Sequence, residues 1–391
     1  LAQRFAKSLH ETAEEVSALI SEKLSGTLSV EDLDAVTEKL KKSSSRRVDL
    51  KVLAEGVAGA SGDHSIDTDY LLRLIDLSNR INNAHHRLVA GEHGLGRARY
   101  GLAVAGGTAA EWAGAFPHNP FQAPVIIDMT GDAAQLSAGL VEGHLDETTE
   151  LVRLLRLARL EIDQPDGVDW KREALASLRW QDLSREDLAM CPPLVLLGSD
   201  EMLAGRGLSQ LIWLLNSGLP VKVLVLSALH FGLLEAPTND PRGSLGLLAL
   251  AQRNAFVAQT SVAKPDHLGD SILQALAFDG PALIQAYAPS PAQHGFASNQ
   301  TVAQAQSAVA ARVLPLFRYD PRGEGVFGSR ISLDGNPACE EALIKLDDSE
   351  QFLTPADWAR GQSRFDGQFE PLGDKAPGPV ALHEWLQLDD I

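Results

Sequence analysis

The stretch of sequence that decides the fold runs from residue 194 to residue 226. It opens with the letters LVLLGSDE at 194–201, continues through a helical pattern at 208–216 and a Ser-Gly turn, and closes with VKVLVL at 221–226. Neither apolar run alternates polar with apolar residues, which is typical of strands that are covered on both faces. The stretch therefore predicts a βαβ unit of a parallel sheet, with Asp200 in the turn between the first strand and its helix.

Similar patterns flank this unit. The candidate strands are 100–104, 124–128, 194–197, 221–226, 255–260 and 282–287, and the candidate helices of this region are 147–160, 208–216, 245–254 and 267–277. We therefore predict an α/β fold, a mostly parallel sheet flanked by helices, over residues 94–322. Residues 1–93 carry helical patterns at 1–25, 30–42 and 68–89 and form a predicted helical N-terminal extension, with a boundary at 56–64. Residues 323–391, rich in Gly, Pro and Asp, form a predicted irregular C-terminal tail.

Composition limits the function classes. The 391-residue chain has a formal net charge of −18, which argues against nucleic-acid binding because neutralising phosphates requires a surplus of Lys and Arg. The basic cluster at 39–47 is predicted to be a solvated helix end. The two cysteines, Cys191 and Cys339, form no Cys-x-x-Cys pair, so we expect no disulfide framework, zinc site or iron–sulfur cluster within this chain.

Location follows from the same composition. No apolar run approaches the ~20 residues needed to span a membrane, and the first 25 residues do not resemble a secretory signal. We therefore expect a cytoplasmic protein without a membrane partner. Because the chain begins with Leu, we also expect it to be processed or to be one piece of a longer polypeptide.

The turn at Asp200 is the main candidate site. In open α/β sheets ligands bind beyond the carboxyl ends of the strands, and a helix N-terminus there favours phosphate. An Asp in such a turn can hold Mg²⁺, which prefers oxygen ligands and bridges to a diphosphate. The alternative is that the Asp only caps the helix that follows. The pattern alone leaves both roles open.

These motifs resemble the thiamine-diphosphate domain of the pyruvate:ferredoxin (2-oxoacid:acceptor) oxidoreductase family. The resemblance is carried by residues 105–112, 198–201, 217–218, 221–226, 255–258, 278–284, 286–288 and 315–322, the last of which reads PLFRYDPR. It implies a thiamine-diphosphate-binding fold in which Gly198, Ser199, Asp200 and Glu201 face the diphosphate, as do Gly107 and Thr108 of an earlier loop. It also implies Mg²⁺ held by Asp200 and by the loop that contains His230.

The sequence departs from the family pattern in four features. The glycines that flank the metal-binding Asp are replaced by Ser199 and Glu201. In the second metal loop, Ala228 stands where a side-chain oxygen is required, and His230 stands where only a carbonyl is needed. The first loop, 106–110, has lost most of its polar groups. The cysteine ligands of the iron–sulfur clusters are missing, with Ser290 at one such position.

Two hypotheses follow. In the first, the chain is a subunit or fragment of a 2-oxoacid:ferredoxin oxidoreductase-like enzyme and supplies the diphosphate and Mg²⁺ side of a thiamine-diphosphate site. In the second, it is a non-catalytic scaffold or regulatory domain of such a complex and has lost the cofactor. Both require other subunits or domains of the complex as partners, and both predict an oligomer.

Overall fold

The computed structural model describes residues 2–25, 68–114, 121, 125–163, 169–205, 207–228, 244–337 and 353–369. Four sequence predictions lie outside the described residues: the helix at 30–42, the basic cluster at 39–47, the boundary at 56–64 and His230 of the second metal loop.

One sheet organises the described part of the chain. Its strands are β1 (Gly101–Ala105), β2 (Val125–Asp128), β3 (Leu194–Ser199), β4 (Val221–Ser227), β5 (Phe256–Ser261), β6 (Ala282–Tyr287), β7 (Phe317–Tyr319) and β8 (Ile331–Ser332). The strand order is β2-β1-β3-β4-β6-β5-β7-β8. Neighbours from β2 to β5 are parallel, whereas β7 is antiparallel to β5 and β8 to β7. The predicted mostly parallel α/β fold is confirmed, because the six predicted strands are its six parallel strands.

Helices connect the strands. The described helices are α1 (Ala2–Ser25), α2 (Thr68–Val89), α3 (Thr108–Ala113), α4 (Ala133–Asp163), α5 (Asp169–Ala176), α6 (Arg185–Leu188), α7 (Asp200–Ala204), α8 (Leu208–Asn216), α9 (Leu245–Gln252), α10 (Pro265–Ala277), α11 (Pro291–His294), α12 (Thr301–Ala310) and α13 (Pro355–Arg360). Short 3₁₀ helices occupy Trp180–Asp182, Ser298–Gln300, Phe327–Arg330 and Ser363–Gln368. The helix predicted at 147–160 is therefore the second half of α4.

Both faces of the sheet are covered along its central strands, as the uninterrupted apolar runs predicted, whereas Ile126 and Ile127 of the edge strand β2 are exposed. On one face, Ala103 and Val223 lie in a core that includes residues of α4, α8 and α9. On the other face, Val104 packs with α3 and Phe256 packs with α10. Successive strand residues thus enter opposite cores, as the period of two in a strand requires.

The predicted helical extension packs on the second half of α4. Its apolar side chains, among them Leu9 of α1 and Leu74 and Ile81 of α2, are buried together with Leu151 and Leu154. The amphipathic spacing that predicted α1 and α2 thus corresponds to a real buried face.

The C-terminal region has more regular structure than the sequence indicated. β7 and β8 extend the sheet beyond β5, and β8 lies past the predicted boundary at 322. Helix α13 begins with a capping box in which Thr354 Oγ1 accepts from the Asp357 N–H and the Asp357 carboxylate accepts from the Thr354 N–H. Within the described ranges, no helix is both long enough and apolar enough to cross a membrane.

The strand order creates a switch point. From β1 the chain moves to β2 on one side and later returns to β3 on the other side of β1. The chain therefore leaves β1 toward one side of the sheet and leaves β3 toward the other side. In open α/β sheets, ligands bind beyond the carboxyl ends of two such neighbouring strands.

Candidate functional site

Asp200 lies at this switch point as the first residue of α7, and its carboxylate points to the end of β4. Its Oδ2 accepts hydrogen bonds from Ser227 Oγ at 2.7 Å and from the Ala228 N–H at 3.0 Å. Its Oδ1 accepts from the Glu201 N–H at 3.0 Å. The carboxylate therefore ties the turn after β3 to the end of the neighbouring strand.

Ser199, not Asp200, caps the helix. Ser199 has extended backbone angles, and its Oγ accepts from the Met202 N–H at 3.4 Å. The capping role that the pattern left open for Asp200 is thus filled by the preceding residue. Asp200 occupies the first turn, where the helix dipole favours a carboxylate, and its oxygens remain available to β4.

Gly198 is required by packing. A Cβ on Gly198 would lie 2.9 Å from Leu203 Cδ1 and 3.1 Å from Ala105 Cβ. The glycine therefore lets Leu203 of α7 and Ala105 of β1 both pack closely on β3. Its neighbour Glu201, predicted to face the diphosphate, is exposed to solvent.

The structure brings the loop after β1 next to the turn after β3. Gly107 precedes α3 with a φ of 87°, a conformation that favours glycine, and Thr108 begins that helix. A Cβ on Gly107 would lie 3.6 Å from Met202 Cγ and 3.9 Å from Ser199 Oγ, and a Cβ on Gly106 would lie 3.2 Å from Met202 Cε. The apolar side chain of Met202 thus occupies the space that both loops face.

Two glutamines that the sequence reasoning missed lie on β5 and β6 beside the Asp200 turn. Together with the ends of β3 and β4 they form the carboxyl edge of the sheet, which is called this edge below. Gln285 Nε2 donates to Ser227 Oγ at 3.0 Å, and Gln285 Oε1 accepts from the Gly246 N–H at 2.7 Å. Gln259, its register partner on β5, donates to the Pro315 carbonyl at 2.7 Å. The available signal was a Gln at matching positions in two apolar runs, since a polar side chain inside a covered strand must find a buried partner.

The C-terminal segment adds a cation that the sequence reasoning also missed. Arg364 donates through Nε to Gln362 Oε1 at 2.7 Å, and its guanidinium lies 4.7 Å from the ring centre of Phe365. Burial lowers the pKa of Arg364 to about 10, against the opposing effect of Tyr287 and of the Asp200 carboxylate. Burial also raises the pKa of Tyr287, at the end of β6, to about 12. The segment thus places a positive charge within electrostatic range of Asp200.

The described groups do not fit a magnesium-bound diphosphate. Asp200 Oδ2 already accepts two hydrogen bonds, and the Glu201 and Met202 N–H groups at the start of α7 already bind side-chain oxygens. Ala228 offers only its N–H to the carboxylate, and Met202 fills the space beside Gly107. No group of three or more His, Cys, Asp or Glu side chains that could hold a metal occurs among the described residues. His230 lies outside them.

The fold and this edge define a class: an α/β protein with an acidic turn at the switch point of a parallel sheet. Within that class, the chain is similar to the pyruvate-flavodoxin oxidoreductase of Rhodospirillum rubrum, at 26% identity over 227 residues, which are 52% of this chain and 18% of that protein. It is also similar to the pyruvate:ferredoxin oxidoreductase of Moorella thermoacetica, at 37% identity over 79 residues, 20% of this chain and 7% of that protein. A probable pyruvate-flavodoxin oxidoreductase of Escherichia coli K12 is 33% identical over 107 residues, 26% of this chain and 9% of that protein.

These relatives confirm the resemblance that the sequence motifs predicted. The chain spans less than a fifth of the length of each of these three relatives. A solved 2-oxoglutarate:ferredoxin oxidoreductase from Magnetococcus marinus aligns with 54% of this chain and 60% of its own chain, with a TM-score of 0.32 and 13% identity. No family model matches the chain.

Proposed function

We propose that this chain is a non-catalytic α/β domain of a 2-oxoacid:ferredoxin oxidoreductase-like assembly. The observation that carries the proposal is the set of hydrogen bonds that the Asp200 turn makes within the chain. The groups of this turn that could bind a metal or a diphosphate, namely Asp200 Oδ2 and the Glu201 and Met202 N–H groups, are already bonded within the chain. A diphosphate would have to displace these bonds and the Met202 side chain, which would leave the buried Ser227 hydroxyl without its carboxylate partner.

The partners of the proposed domain are other subunits or domains of the same assembly. Relatives that are named as oxidoreductases acting with ferredoxin or flavodoxin are several times longer than the stretch this chain matches. The decarboxylation and electron-transfer chemistry would therefore reside elsewhere in the assembly. An oligomer is the expected state, and the net charge of −18 disfavours nucleic acid as a partner.

Calorimetry tests the proposal directly. The chain, together with any subunit that co-purifies with it, is titrated with thiamine diphosphate in the presence of Mg²⁺. We expect no saturable heat and no thermal shift at millimolar ligand. Saturable binding that disappears in the Asp200→Ala variant would overturn the non-catalytic proposal.

A second candidate is the diphosphate and Mg²⁺ side of a thiamine-diphosphate site. One observation favours it: Ser227 Oγ lies 2.7 Å from Asp200 Oδ2, so a hydroxyl oxygen accompanies the carboxylate although Ala228 carries none. In this candidate Asp200 is the residue that would hold the metal. Oxygen ligands of this kind suit Mg²⁺.

Activity of the whole assembly separates the two candidates. For the non-catalytic domain, 2-oxoacid-dependent reduction of ferredoxin or flavodoxin by the assembly stays within about twofold in the Asp200→Ala variant as long as the assembly remains intact by gel filtration. Asp163→Ala, at an exposed position at the end of α4, is the matched control. Loss of activity in an intact Asp200→Ala assembly, with the control active, would favour the diphosphate site.

A further inference from the structure

Gln285 connects more parts of this edge than the motifs indicated. Its Nε2 donates to Ser227 Oγ at 3.0 Å, and that hydroxyl donates to Asp200 Oδ2 at 2.7 Å. Its Oε1 accepts from the Gly246 N–H at 2.7 Å and from Ser244 Oγ at 3.2 Å. The Gln285 side chain is buried, and its bonds to Ser227 and to the Gly246 N–H are made away from water, where a lost partner is costly.

The contact at Gly246 depends on the absence of a side chain. A Cβ on Gly246 would lie 2.8 Å from Gln285 Oε1 and 3.2 Å from Gln259 Oε1. Glycine therefore lets the first turn of α9 rest directly on the two amides. Ser244 is the N-cap of α9, and its Oγ lies 3.2 Å from both amide oxygens, so the two glutamines share its single hydroxyl proton.

We propose that Gln285 is the positioning residue of this edge. Through Ser227 it fixes Asp200, and through the Gly246 N–H it fixes the first turn of α9. The inference rests on the proposed function, in which side chains of this chain, and no metal ion, connect the ends of β3 and β4. One buried amide thereby does what a bridging ion would do: it holds three separate segments in a fixed relation.

Gln259 provides a matched control. It is the register partner of Gln285 on β5 and is similarly buried. Its Nε2 donates to the Pro315 carbonyl at 2.7 Å, and its Oε1 shares the Ser244 hydroxyl with Gln285. Replacing it therefore removes a comparable buried amide and leaves the path from Gln285 through Ser227 to Asp200 in place.

The test is a set of double-variant cycles on the full chain, measured as melting temperatures. Asp200→Ala and Gln285→Met are each expected to lower the melting temperature by about 1–4 °C, because each leaves buried partners unsatisfied and the shift per kcal/mol is small for a chain of this length. Together they are expected to lower it by clearly less than the sum, because both interrupt one path. Asp200→Ala and Gln259→Met are expected to be additive.

Ser227 decides whether the coupling follows the proposed path. In a Ser227→Ala background, the non-additivity between Asp200→Ala and Gln285→Met is expected to vanish. A residue with a merely structural role would lower the melting temperature, but its effect would add to that of Asp200→Ala whether or not Ser227 is present. Additive effects for Asp200 and Gln285, equal coupling of Asp200 to Gln259, or coupling that persists without Ser227 would each overturn the proposal.

Hydrogen exchange on the unaltered chain keeps the proposal testable if a variant does not fold. The Ala228 and Gly246 amides bond to opposite ends of the path from Asp200 to Gln285, so we expect them to open with the same free energy. Different opening free energies would contradict a shared positioning residue.

A separate measurement tests the proposed function. Melting temperatures of the unaltered chain in excess EDTA and in millimolar MgCl₂ with thiamine diphosphate are expected to agree. If the ligand raises the melting temperature, the proposed function fails while the coupling cycles still report on Gln285. If the cycles are additive but no ligand binds, only the role of Gln285 fails.

Discussion

Gly198 shows how a residue can match a cofactor motif and yet be required by packing. The sequence places it before the acidic turn, where a family glycine would allow close approach to a diphosphate. In the structure, its missing Cβ leaves room for Leu203 of α7 and for Ala105 of β1, which both lie against this position. The position of the glycine was predictable from the motif, but the side chain that needs it lies on another element and could not be read from local sequence.

The Gly198→Ala variant is therefore expected to destabilise the chain whether or not a cofactor is offered. The new methyl group would lie 2.9 Å from Leu203 Cδ1, and overpacking of this kind typically costs about 1–3 kcal/mol. Gly139→Ala in α4 is the control, because a Cβ there meets no heavy atom within 4 Å and alanine favours a helix. Urea unfolding checks both. Equal stability of the two variants would refute the packing role.

Lys222 is a buried cation that no motif indicated. Its Nζ donates to the Phe278 carbonyl at 2.6 Å and to the Gly280 carbonyl at 2.8 Å, just past the end of α10. Burial lowers its pKa from 10.5 to about 7, while Asp279 acts in the opposite direction and Arg322 in the same one. A neutral amine still has two N–H groups, so both carbonyls keep a donor when the proton leaves.

Stability is expected to rise with pH because of Lys222. Between about pH 7 and about pH 10 the unfolded chain holds the proton that the folded chain has released, so the free energy of unfolding increases by up to ~1.4 kcal/mol per pH unit. Below about pH 7 this contribution is lost. The difference in unfolding free energy between the unaltered chain and Lys222→Met should therefore grow with pH in urea titrations. Lys7→Met, at an exposed position, is the control, and a Lys222→Met profile no steeper than that of the control would contradict the assignment.

At the level of elements, strands that repeat one buried pattern were predictable and short antiparallel strands were not. All six parallel strands carry apolar runs that identify them without neighbours. β7 and β8 are only three and two residues long, and β7 pairs with β5 through a contact distant in sequence. Their strand character comes from that pairing, because such short runs carry no periodicity.

The tail segment around α13 illustrates the same dependence on tertiary contact. It packs against the main body where Ser363 meets Gly295, and Trp358 is buried together with Tyr287. Glycine at 295 is needed twice, because its φ is 70° and because a Cβ would collide with Ser363 Oγ. Sequence composition alone indicated an irregular tail because the apolar partners of Trp358 lie in other elements.

Gly295→Ala is therefore expected to release this segment. The measurement is acrylamide quenching of Trp fluorescence, which should increase as Trp358 becomes accessible, together with faster hydrogen exchange across 353–369. Gly218→Ala is the matched control, because its φ of 77° imposes similar backbone strain while a Cβ there meets no heavy atom within 4 Å. If Gly218→Ala raises quenching as much as Gly295→Ala, the contact with Ser363 does not hold the segment.

At the scale of the whole molecule, α4 belongs to two cores at once. Its first half contributes Val141 and Leu145 to the core beneath the sheet, and its second half contributes Leu151 and Leu154 to the cluster with α1 and α2. The sequence pattern predicted only the second half of α4, and it indicated that the N-terminal helices form an extension. Since one continuous helix of 31 residues serves both clusters, loss of either cluster exposes an apolar face of the same helix.

The two cores are therefore expected to unfold together. Leu145→Ala and Leu151→Ala each remove a fully or nearly fully buried side chain, which typically costs about 2–5 kcal/mol. If the two cores share one transition, the lowered urea midpoint of each variant is the same by helical circular dichroism and by Trp fluorescence. The physical reason is that helix α4 cannot unfold in its middle without breaking its own hydrogen bonds. The outcome against this coupling is specific: Leu151→Ala would give an early transition in circular dichroism alone, and the fluorescence midpoint would stay where it is in the unaltered chain. In that case α1 and α2 would be a separable extension, and the sheet, with Asp200 and Gln285 at its edge, would stand without them.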